Sequence, residues 1–423
     1  MLNFCGKKKL LMRKKRIIFI LILVFGLFSI SIIHASIHTS AKNSAIVNPE
    51  NDSIVVQIGF VGDIMAHMAQ LNAQKMEDGT YDFNNNYVWM TPYFQKNDLM
   101  IGNIETTFAG EEQGYSTYPI FNTPDALLDA LKNSGFDILS TANNHMYDQG
   151  SVGLFRTIQV LKAKNILFTG SRERETDPRF LIDLVKGIKI GIIGYTYETT
   201  GKDTGSVTIN GLKIKNGDVP FINSFNPSNI DETVAEWKSE VHKMRQEGAQ
   251  IVIMIVHWGN EYQTTPCNYQ VALADSLNKM GVDIIFGSHP HVVQPIDFIL
   301  DSMNNHITYV SYSSGNFISN QRYETLENYN TEDGLYTEIQ ILKTAHAPAQ
   351  IYKINTIPTW VNRYANGEKF KYEVIPLPQI MKNKTVDSTF TPEQMTRMGQ
   401  SYLRTNSTIT KNYNSIFDLY IKN

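Results

Sequence analysis

Short apolar runs that end in polar residues recur along most of the chain. They are Ile54 to Val61, Leu99 to Ile104, Ile138 to Thr141, Ile188 to Tyr195, Ile251 to Val256, Ile284 to Phe286 and Ile307 to Tyr312. Their length and their content of β-branched residues are typical of strands that are buried on both faces. We therefore predict a β-strand at each of these runs.

Segments with the periodicity of amphipathic helices separate several of the predicted strands. They cover Pro124 to Ser134, Val152 to Lys164, Ile230 to Glu247 and Tyr269 to Lys279. The alternation of strand, polar loop and helix indicates an α/β fold, in which helices cover the faces of a sheet. In such folds, binding and catalytic residues collect in the loops beyond the carboxyl ends of the strands.

The pattern changes after Gly334. Two longer alternating runs, Leu335 to Leu342 and Ile351 to Thr359, follow one another without a helix between them, which predicts a closing β layer. Thr391 to Leu403 has the pattern of a terminal helix. We expect the tail after this helix to be loosely ordered.

The N-terminal region differs in composition from the rest of the chain. Residues 1–16 contain seven Lys or Arg and no acidic residue, and residues 17–33 are apolar or small throughout. This pattern predicts a cytoplasmic basic segment and a transmembrane helix, because positive residues flank a span on its cytoplasmic side. A cleaved signal peptide is the alternative, since small residues follow the apolar run. Both readings place the main domain outside the cytoplasm.

The remaining chain divides into three predicted parts. Residues 34–53 are rich in Ser, Asn, Ala and Thr and are expected to form a linker, residues 54–375 the main domain, and residues 376–423 a C-terminal extension. With the span retained, we expect a single-pass cell-membrane protein with its N-terminus in the cytoplasm. The membrane is then the first predicted partner.

Length, charge and cysteine content narrow the class of protein. The chain has 423 residues and two cysteines, which excludes a small scaffold held by disulfides. Without its first 33 residues it has 31 Lys plus Arg against 41 Asp plus Glu, a formal net charge of −10. An acidic main domain argues against nucleic acid as a partner, because the phosphates would repel it.

Five polar clusters that follow predicted strands contain the residue types that bind metal ions. They are Asp63 with His67, Asn103 with Glu105, Asn143-Asn144-His145 with Asp148, His257 with Glu261, and His289-Pro290-His291. Imidazole and carboxylate ligands suit zinc, iron or manganese, and a bridging carboxylate can hold two ions about 3.5–4 Å apart. On an extended segment, His289 and His291 would point to the same side and reach one centre. Each cluster alone also has a structural explanation, as a turn, a helix cap or a hydrogen-bonding residue.

The order of these clusters resembles that of the calcineurin-like metallophosphoesterases, and the local sequences resemble the CapA, or poly-γ-glutamate capsule synthesis, family more closely. The segments that carry the resemblance are VGDIM, NIETT, ANNHMYDQG, HWGNEY, GSHPHVVQP and YSSGNF, which span Val61 to Phe317. The resemblance implies a metallophosphoesterase-like layered sandwich, with β-sheets flanked by helices. Two positions depart from the general metallophosphoesterase pattern. Met65 replaces the histidine of Asp-x-His, with His67 the nearest substitute, and Glu105 stands where an aspartate is usual.

The resemblance also implies a role for each candidate residue. One or two divalent ions of Mn, Fe or Zn are expected, and the predicted ligands are Asp63, Glu105, Asn144, His257, His289 and His291. Glu105 is the best candidate to bridge two ions. His145 is expected to protonate a leaving oxygen or to stabilise charge on a phosphoryl group, with Asp148 orienting it. Residues expected to surround the ligands or to contact substrate are His67, Asn103, Asn143, Glu261, Gln294 and Asn316.

Two functions remain open on the sequence alone. The first is a metal-dependent hydrolase in capsule or surface-polymer biosynthesis, with an anionic polymer or a phosphorylated envelope intermediate as its substrate. The second is a non-catalytic subunit that binds, exports or attaches an anionic polymer together with other capsule-synthesis membrane subunits. The nearly complete ligand set favours catalysis, because a pure binding protein has no need to keep His145 and the ligands together.

Overall fold

The computed structural model describes residues 53–199, 206–378, 389–412, 414 and 416–420. The strands are β1 Ile54–Ile64, β2 Leu99–Ile104, β3 Ile138–Ser140, β4 Leu167–Thr169, β5 Leu181–Val185, β6 Ile188–Tyr197, β7 Thr208–Ile209, β8 Leu212–Lys213, β9 Ser224–Phe225, β10 Ile251–His257, β11 Ile284–Ser288, β12 Ile296–Asp301, β13 His306–Ser311, β14 Asn316–Ile318, β15 Asp333–Lys343, β16 Gln350–Asn366 and β17 Lys369–Pro376. The α-helices are α1 Met68–Gln74, α2 Thr91–Phe94, α3 Ala126–Ser134, α4 Gly150–Ala163, α5 Ile230–Gln246, α6 Asn268–Lys279, α7 Tyr323–Leu326, α8 Pro392–Ile409 and α9 Phe417–Tyr420. Short 3₁₀ helices cover Asn84–Tyr87, Glu111–Gln113, Val219–Phe221 and Tyr329–Glu332.

Two mixed sheets form the centre of the fold. The first has the order β17-β16-β15-β1-β2-β3-β4, with β14 paired to the end of β1. The second has the order β12-β13-β11-β10-β6-β5, with β9 paired to β6, and β7 and β8 form a separate small ribbon. The strands β1 to β4 are parallel to one another, as are β6, β10, β11 and β13. Within each sheet, the carboxyl ends of the parallel strands therefore lie at one edge.

An apolar core fills the space between the two sheets. Ile58 and Phe60 of β1 lie in the same buried cluster as Ile253 of β10 and Phe286 of β11. The rings of Phe60 and Phe286 stack with 4.0 Å between their centroids, which joins the two sheets directly. The sheets therefore pack face to face, as in a sandwich.

Helices cover the outer face of each sheet. Leu128 and Leu131 of α3 pack with Leu139 on the first sheet. Trp237 of α5 and Leu273 of α6 pack on the second sheet. Because both faces of both sheets are covered, the parallel strands are apolar along nearly their whole length, which is the pattern seen in the sequence. The predicted α/β class with sheets flanked by helices is confirmed.

The C-terminal part differs from expectation at two places. The strands that were predicted as a closing β layer extend the first sheet, because β15 pairs antiparallel with β1 along residues 54–60. Part of the tail that was expected to be loosely ordered belongs to α8, which continues to the buried Ile409. In α8, Ser401 donates a hydrogen bond to Asp333 at 2.6 Å, which fixes the helix to the start of β15. The division of the chain at residue 375 stays a prediction.

The predicted location in the membrane is corrected by the helices of the structure. Among the described residues, none of the helices combines the length and the apolar character that crossing a membrane requires. The two longest, α5 and α8, are amphipathic, and α5 carries charged residues such as Asp231 and Lys243. The transmembrane helix predicted for residues 17–33, and the basic segment before it, lie outside the described residues.

Candidate metal centre

Residues from both sheets meet where the parallel strands end. Asp63 lies at the end of β1, and Glu105 directly follows β2. His257 is the last residue of β10, and the loop after β11 contributes His289 and His291. All five residues are buried. The fold thus collects residues that are far apart in the sequence into one group of metal-binding side chains.

A close approach of two backbone segments places Asp63 in this group. A Cβ atom on Gly62 would lie 2.1 Å from the carbonyl oxygen of Gly315, so a larger residue does not fit without a backbone shift. The N–H of Asp63 donates to the same Gly315 oxygen at 3.0 Å. Asp63 is therefore also held in register with Asn316 of β14.

The two histidines after β11 have an unusual backbone conformation. The φ angles are +100° at His289 and +56° at His291, in the left-handed region that residues other than glycine rarely adopt. We expected an extended segment, and these φ angles show that it is not extended. Both rings nevertheless reach the centre, with 6.0 Å between their centroids. Such strain costs about 1–3 kcal/mol per residue and is concentrated at functional sites. The conformation supports a functional role for this loop.

Potential ligand atoms form three overlapping groups. The atoms of each group lie within 4.8 Å of one another, and the groups are Glu105, His257 and His289; Asp63, Glu105 and His291; and Glu261, His289 and His291. Glu105 belongs to the first two groups, which is the position that a bridging ligand requires. Glu261 is exposed, unlike the other members.

Several buried atoms of this cluster have no hydrogen-bond partner among the described residues. They are both carboxylate oxygens of Glu105 and Nδ1 of His289. Buried polar atoms are nearly always paired, and an unpaired buried carboxylate is costly. Burial, together with the nearby charge of Asp63, raises the pKa of Glu105 well above its usual value. A bound cation would satisfy these atoms, so the residues present fit a metal site.

Amides and one hydroxyl hold the charged side chains in place. Asn103 donates through Nδ2 to Oδ1 of Asp63 at 2.8 Å. Nδ1 of His257 forms a hydrogen bond of 2.9 Å with the hydroxyl of Ser288. Nε2 of His257 lies 2.7 Å from Oδ1 of Asn144. The atoms through which these two predicted ligands would bind a metal ion therefore face each other. Burial lowers the pKa of His257, which keeps its ring neutral and able to coordinate.

Ser288 is a residue of the candidate centre that the sequence reasoning missed. We expect Ser288→Ala to weaken metal binding by about 10- to 100-fold, because the hydroxyl orients the His257 ring from its other nitrogen. Competition with a fluorescent chelator measures this affinity. Ser276→Ala, on an exposed part of α6, is the control and should bind metal like the wild type. Equal affinities in both variants would contradict the orienting role.

Tyr197 is a second residue that the sequence reasoning missed. Its ring centroid lies 4.7 Å from that of His289 and 6.4 Å from that of His257, with the latter pair nearly parallel. Its position at the end of an apolar strand, β6, could have indicated it, because β6 reaches the same edge of the sheet as β10. Tyr197 forms an aromatic wall beside the two imidazoles.

Asn143 and Asn316 shape the loops around the ligands. Asn143 donates to the carbonyl oxygen of Ile104 at 2.8 Å, and its Oδ1 accepts from the N–H of His145 at 3.1 Å. Oδ1 of Asn316 lies 3.1 Å from Nδ1 of His291. Both amides therefore connect strand ends that carry candidate ligands.

His145 forms a buried pair with Asp148. Nδ1 of His145 lies 2.8 Å from Oδ2 of Asp148, and the same oxygen accepts from the N–H of Phe121 at 2.6 Å. The Phe121 ring contacts the imidazole edge-on, with 4.7 Å between centroids. Burial raises the pKa of Asp148. The orientation of the imidazole is thus fixed from two sides, and none of the described residues forms a hydrogen bond with its Nε2.

Two residues that were expected around the ligands lie outside the three ligand groups. His67 directly precedes α1, where its N–H donates to Oε1 of Gln70 at 2.8 Å and its Nδ1 accepts from the N–H of Asn320 at 3.2 Å. It belongs to none of the three ligand groups, and burial lowers its pKa to about 4. Gln294 is buried and donates to the carbonyl oxygen of Gln263 at 2.8 Å. It holds the loop after β10 instead of facing the metal ligands.

Comparison with known proteins identifies the family. The model of the bacterial capsule synthesis protein family PGA_cap matches residues 57–321, which is more than half of the chain and includes every candidate site residue. The chain belongs to the PGA_cap family. Among curated relatives, the capsule biosynthesis protein CapA of Bacillus anthracis is 26% identical over 333 residues, which is 74% of each chain. The PGA biosynthesis protein CapA of Bacillus subtilis (strain 168) is 26% identical over 342 residues, which is 79% of each chain. The resemblance read from the sequence is confirmed.

Two solved structures align with this PGA_cap protein. A protein of Thermus thermophilus is 10% identical with a TM-score of 0.36, over 72% of this chain and 98% of that chain. A purple acid phosphatase from yellow lupin (Lupinus luteus) seeds is 11% identical with a TM-score of 0.33, over 76% of this chain and 54% of that chain.

Proposed function

We propose that this PGA_cap protein is a metal-dependent hydrolase that cleaves a phosphoester or related bond during capsule or surface-polymer biosynthesis. The observation that carries the proposal is the buried cluster between the sheet edges, in which Glu105 and His289 present atoms without hydrogen-bond partners among the described residues. The names of the two CapA relatives support the biosynthetic process. The substrate class is then an anionic polymer or a phosphorylated precursor of one.

The predicted ligands would hold one or two divalent ions of Mn, Fe or Zn, with Glu105 between the two groups that share it. Such ions, when bound, act as Lewis acids and lower the pKa of water toward neutrality. The protein positions the ligands through hydrogen bonds, such as those from Asn103 to Asp63 and between Ser288 and His257. The ligand side chains then need little reorganisation when the reaction begins.

His145 is the proposed proton donor to the leaving group. Its Nδ1 is bonded to Asp148, so Nε2 is the nitrogen that would face a substrate. The neighbouring carboxylate stabilises the protonated ring and fixes its orientation. Phe121 packs against the same ring and helps to exclude water from the pair.

The substrate would enter on the side of Glu261. This residue is the exposed member of the cluster, whereas the ligands from the strand ends are buried. Tyr262 follows it, and its ring centroid lies 6.2 Å from that of His291. A carboxylate and an aromatic ring at the opening would limit which groups approach the buried ligands.

A substrate panel tests the proposal. Purified protein loaded with Mn²⁺, Fe²⁺ or Zn²⁺ is assayed with aryl and alkyl phosphomonoesters, a phosphodiester and poly-γ-glutamate, with phosphate release and polymer length as readouts. We expect metal-dependent turnover of at least one substrate, and its loss on chelation or in His257→Ala. A metal-loaded protein that retains poly-γ-glutamate but turns over none of the substrates would overturn the proposal and favour the binding function.

A further inference from the structure

A cavity of about 730 Å³, lined in part by charged residues, lies apart from the metal ligands. Its wall comes from the loop after β4 and from α5, and residues that line it include Arg172, Asp177, Arg179, Glu240 and Lys243. None of the candidate metal ligands contributes to this wall. The proposed hydrolase function makes no use of the cavity.

Arg172 is the unusual residue of this wall. Its side chain is buried, with 6% of the residue exposed, and no described carboxylate forms an ion pair with it. One terminal nitrogen donates to Oδ1 of Asn223 at 2.7 Å, whereas Nε is buried and lacks a partner among the described residues. Burial and the charge of Arg179 lower the pKa of Arg172 to about 10, so the group stays charged at neutral pH. A buried cation with an open donor is costly unless an anion accepts from it.

Arg179 brings a second guanidinium to the same place. It donates to the same Oδ1 of Asn223 at 3.2 Å, so two cationic groups share one neutral acceptor. The carboxylate nearest to Arg179 is that of Glu236, at 3.6 Å from Nε, and Glu236 also accepts from the Tyr195 hydroxyl at 3.0 Å. Among the described residues, Arg179 therefore has one carboxylate partner, and Arg172 has none.

The other acidic residues of the wall do not cancel the charge of these two arginines. Asp177 forms an ion pair of 2.7 Å with Arg174, and Glu240 forms one of 2.7 Å with Lys243. Two further acidic residues are exposed to solvent, which screens their charges: Glu175 and Glu247. The positive charge at Arg172 and Arg179 is thus available to a ligand.

We propose that the cavity at Arg172 and Arg179 binds a phosphate group. Guanidinium groups bind phosphate oxygens through paired, charge-assisted hydrogen bonds, and Arg172 and Arg179 place two guanidinium groups on the wall of one cavity. The size of the cavity lies in the range of small-molecule sites, so the phosphate is either free or part of a small metabolite. The site is separate from the metal centre and does not depend on its activity.

Isothermal titration calorimetry with the full chain, treated with a chelator to remove metal ions, tests this proposal. Inorganic phosphate and glycerol phosphate are the two probes, and the tighter one identifies the source of the phosphate group. Arg172→Gln and Arg179→Gln should each weaken binding by at least about tenfold, because each removes a charge-assisted hydrogen bond. Lys238→Gln is the matched control. Lys238 is exposed on α5 and does not line the cavity, so this variant should bind like the wild type.

Thermal unfolding of each variant separates loss of the ligand from loss of the fold. Arg179, whose side chain is 31% exposed, gives a second test if Arg172→Gln does not fold. The proposal is overturned if the wild type binds neither probe, or if both folded variants bind like Lys238→Gln. It is also overturned if His289→Ala, which leaves this cavity intact, abolishes the binding.

Discussion

Glu105→Gln is expected to abolish the stabilisation that divalent metal ions give to the folded protein. Both carboxylate oxygens of Glu105 are buried without a hydrogen-bond partner among the described residues, and this side chain belongs to two of the three ligand groups. A ligand at one hundred times its dissociation constant stabilises the folded state by about 2.7 kcal/mol. The wild type should gain this amount on addition of Mn²⁺ or Zn²⁺, and Glu105→Gln should gain nearly none. Urea unfolding with and without metal measures both values.

The metal-free proteins provide the second half of this test. Without a cation, the glutamine should be tolerated at least as well as the glutamate, because a buried carboxylate without a partner is unfavourable. Glu338→Gln is the matched control, since Glu338 lies on β15 of the same sheet and belongs to none of the ligand groups. It should keep the full metal-dependent gain. The same gain in Glu105→Gln as in the wild type would exclude Glu105 as a ligand.

His145→Ala should lower turnover by about 10²–10⁴-fold while the metal content stays unchanged, because general acid catalysis is commonly worth this amount. The reason is that His145 pairs with Asp148 and belongs to none of the three ligand groups. The loss should be smaller for substrates whose leaving group needs no proton, such as nitrophenyl esters. Rates on aryl and alkyl esters, with metal content and melting temperature, give the complete comparison.

His242→Ala is the control for this substitution, since His242 is exposed on α5. It should leave rate, metal content and melting temperature unchanged. A folded, metal-loaded His145→Ala protein with undiminished activity would rule out the acid role. A parallel fall in stability, metal content and rate would instead assign His145 a structural role as the brace between its loop and Asp148.

The fold class could be predicted because the parallel strands are apolar along their length. Each strand can therefore be recognised from its own residues. The predicted strand Leu99 to Ile104 has the observed bounds, and the helix predicted from Ile230 to Glu247 ends one residue early. The pairing of the strands was harder to predict from the sequence. β15 pairs with β1 although nearly 280 residues separate them, and no local pattern in either strand encodes that partner. The C-terminal strands were therefore predicted only as a closing β layer, without their partner strand.

The residues that make up the site could be predicted for a related reason. They lie at or directly after strands that can be recognised in the sequence. Asp63, Glu105 and His257 are examples, and all three are buried in one cluster. The residues that orient them were not predictable in the same way. Ser288 looks like any small residue at the end of an apolar strand until the fold places its hydroxyl 2.9 Å from His257. Gln294 was expected to surround the ligands or to contact substrate, and its described contact holds the loop after β10.

The metal content of the purified protein is the most direct test of the proposed metal centre. Inductively coupled plasma mass spectrometry is applied to the wild type, to His289→Ala, to His291→Ala and to the control Arg174→Gln after identical dialysis. We expect one or two divalent transition-metal ions per chain in the wild type and the control, and the loss of at least one from each histidine variant. A wild type without bound metal, or equal metal content in all four proteins, would contradict the metal centre on which the proposed hydrolase function depends.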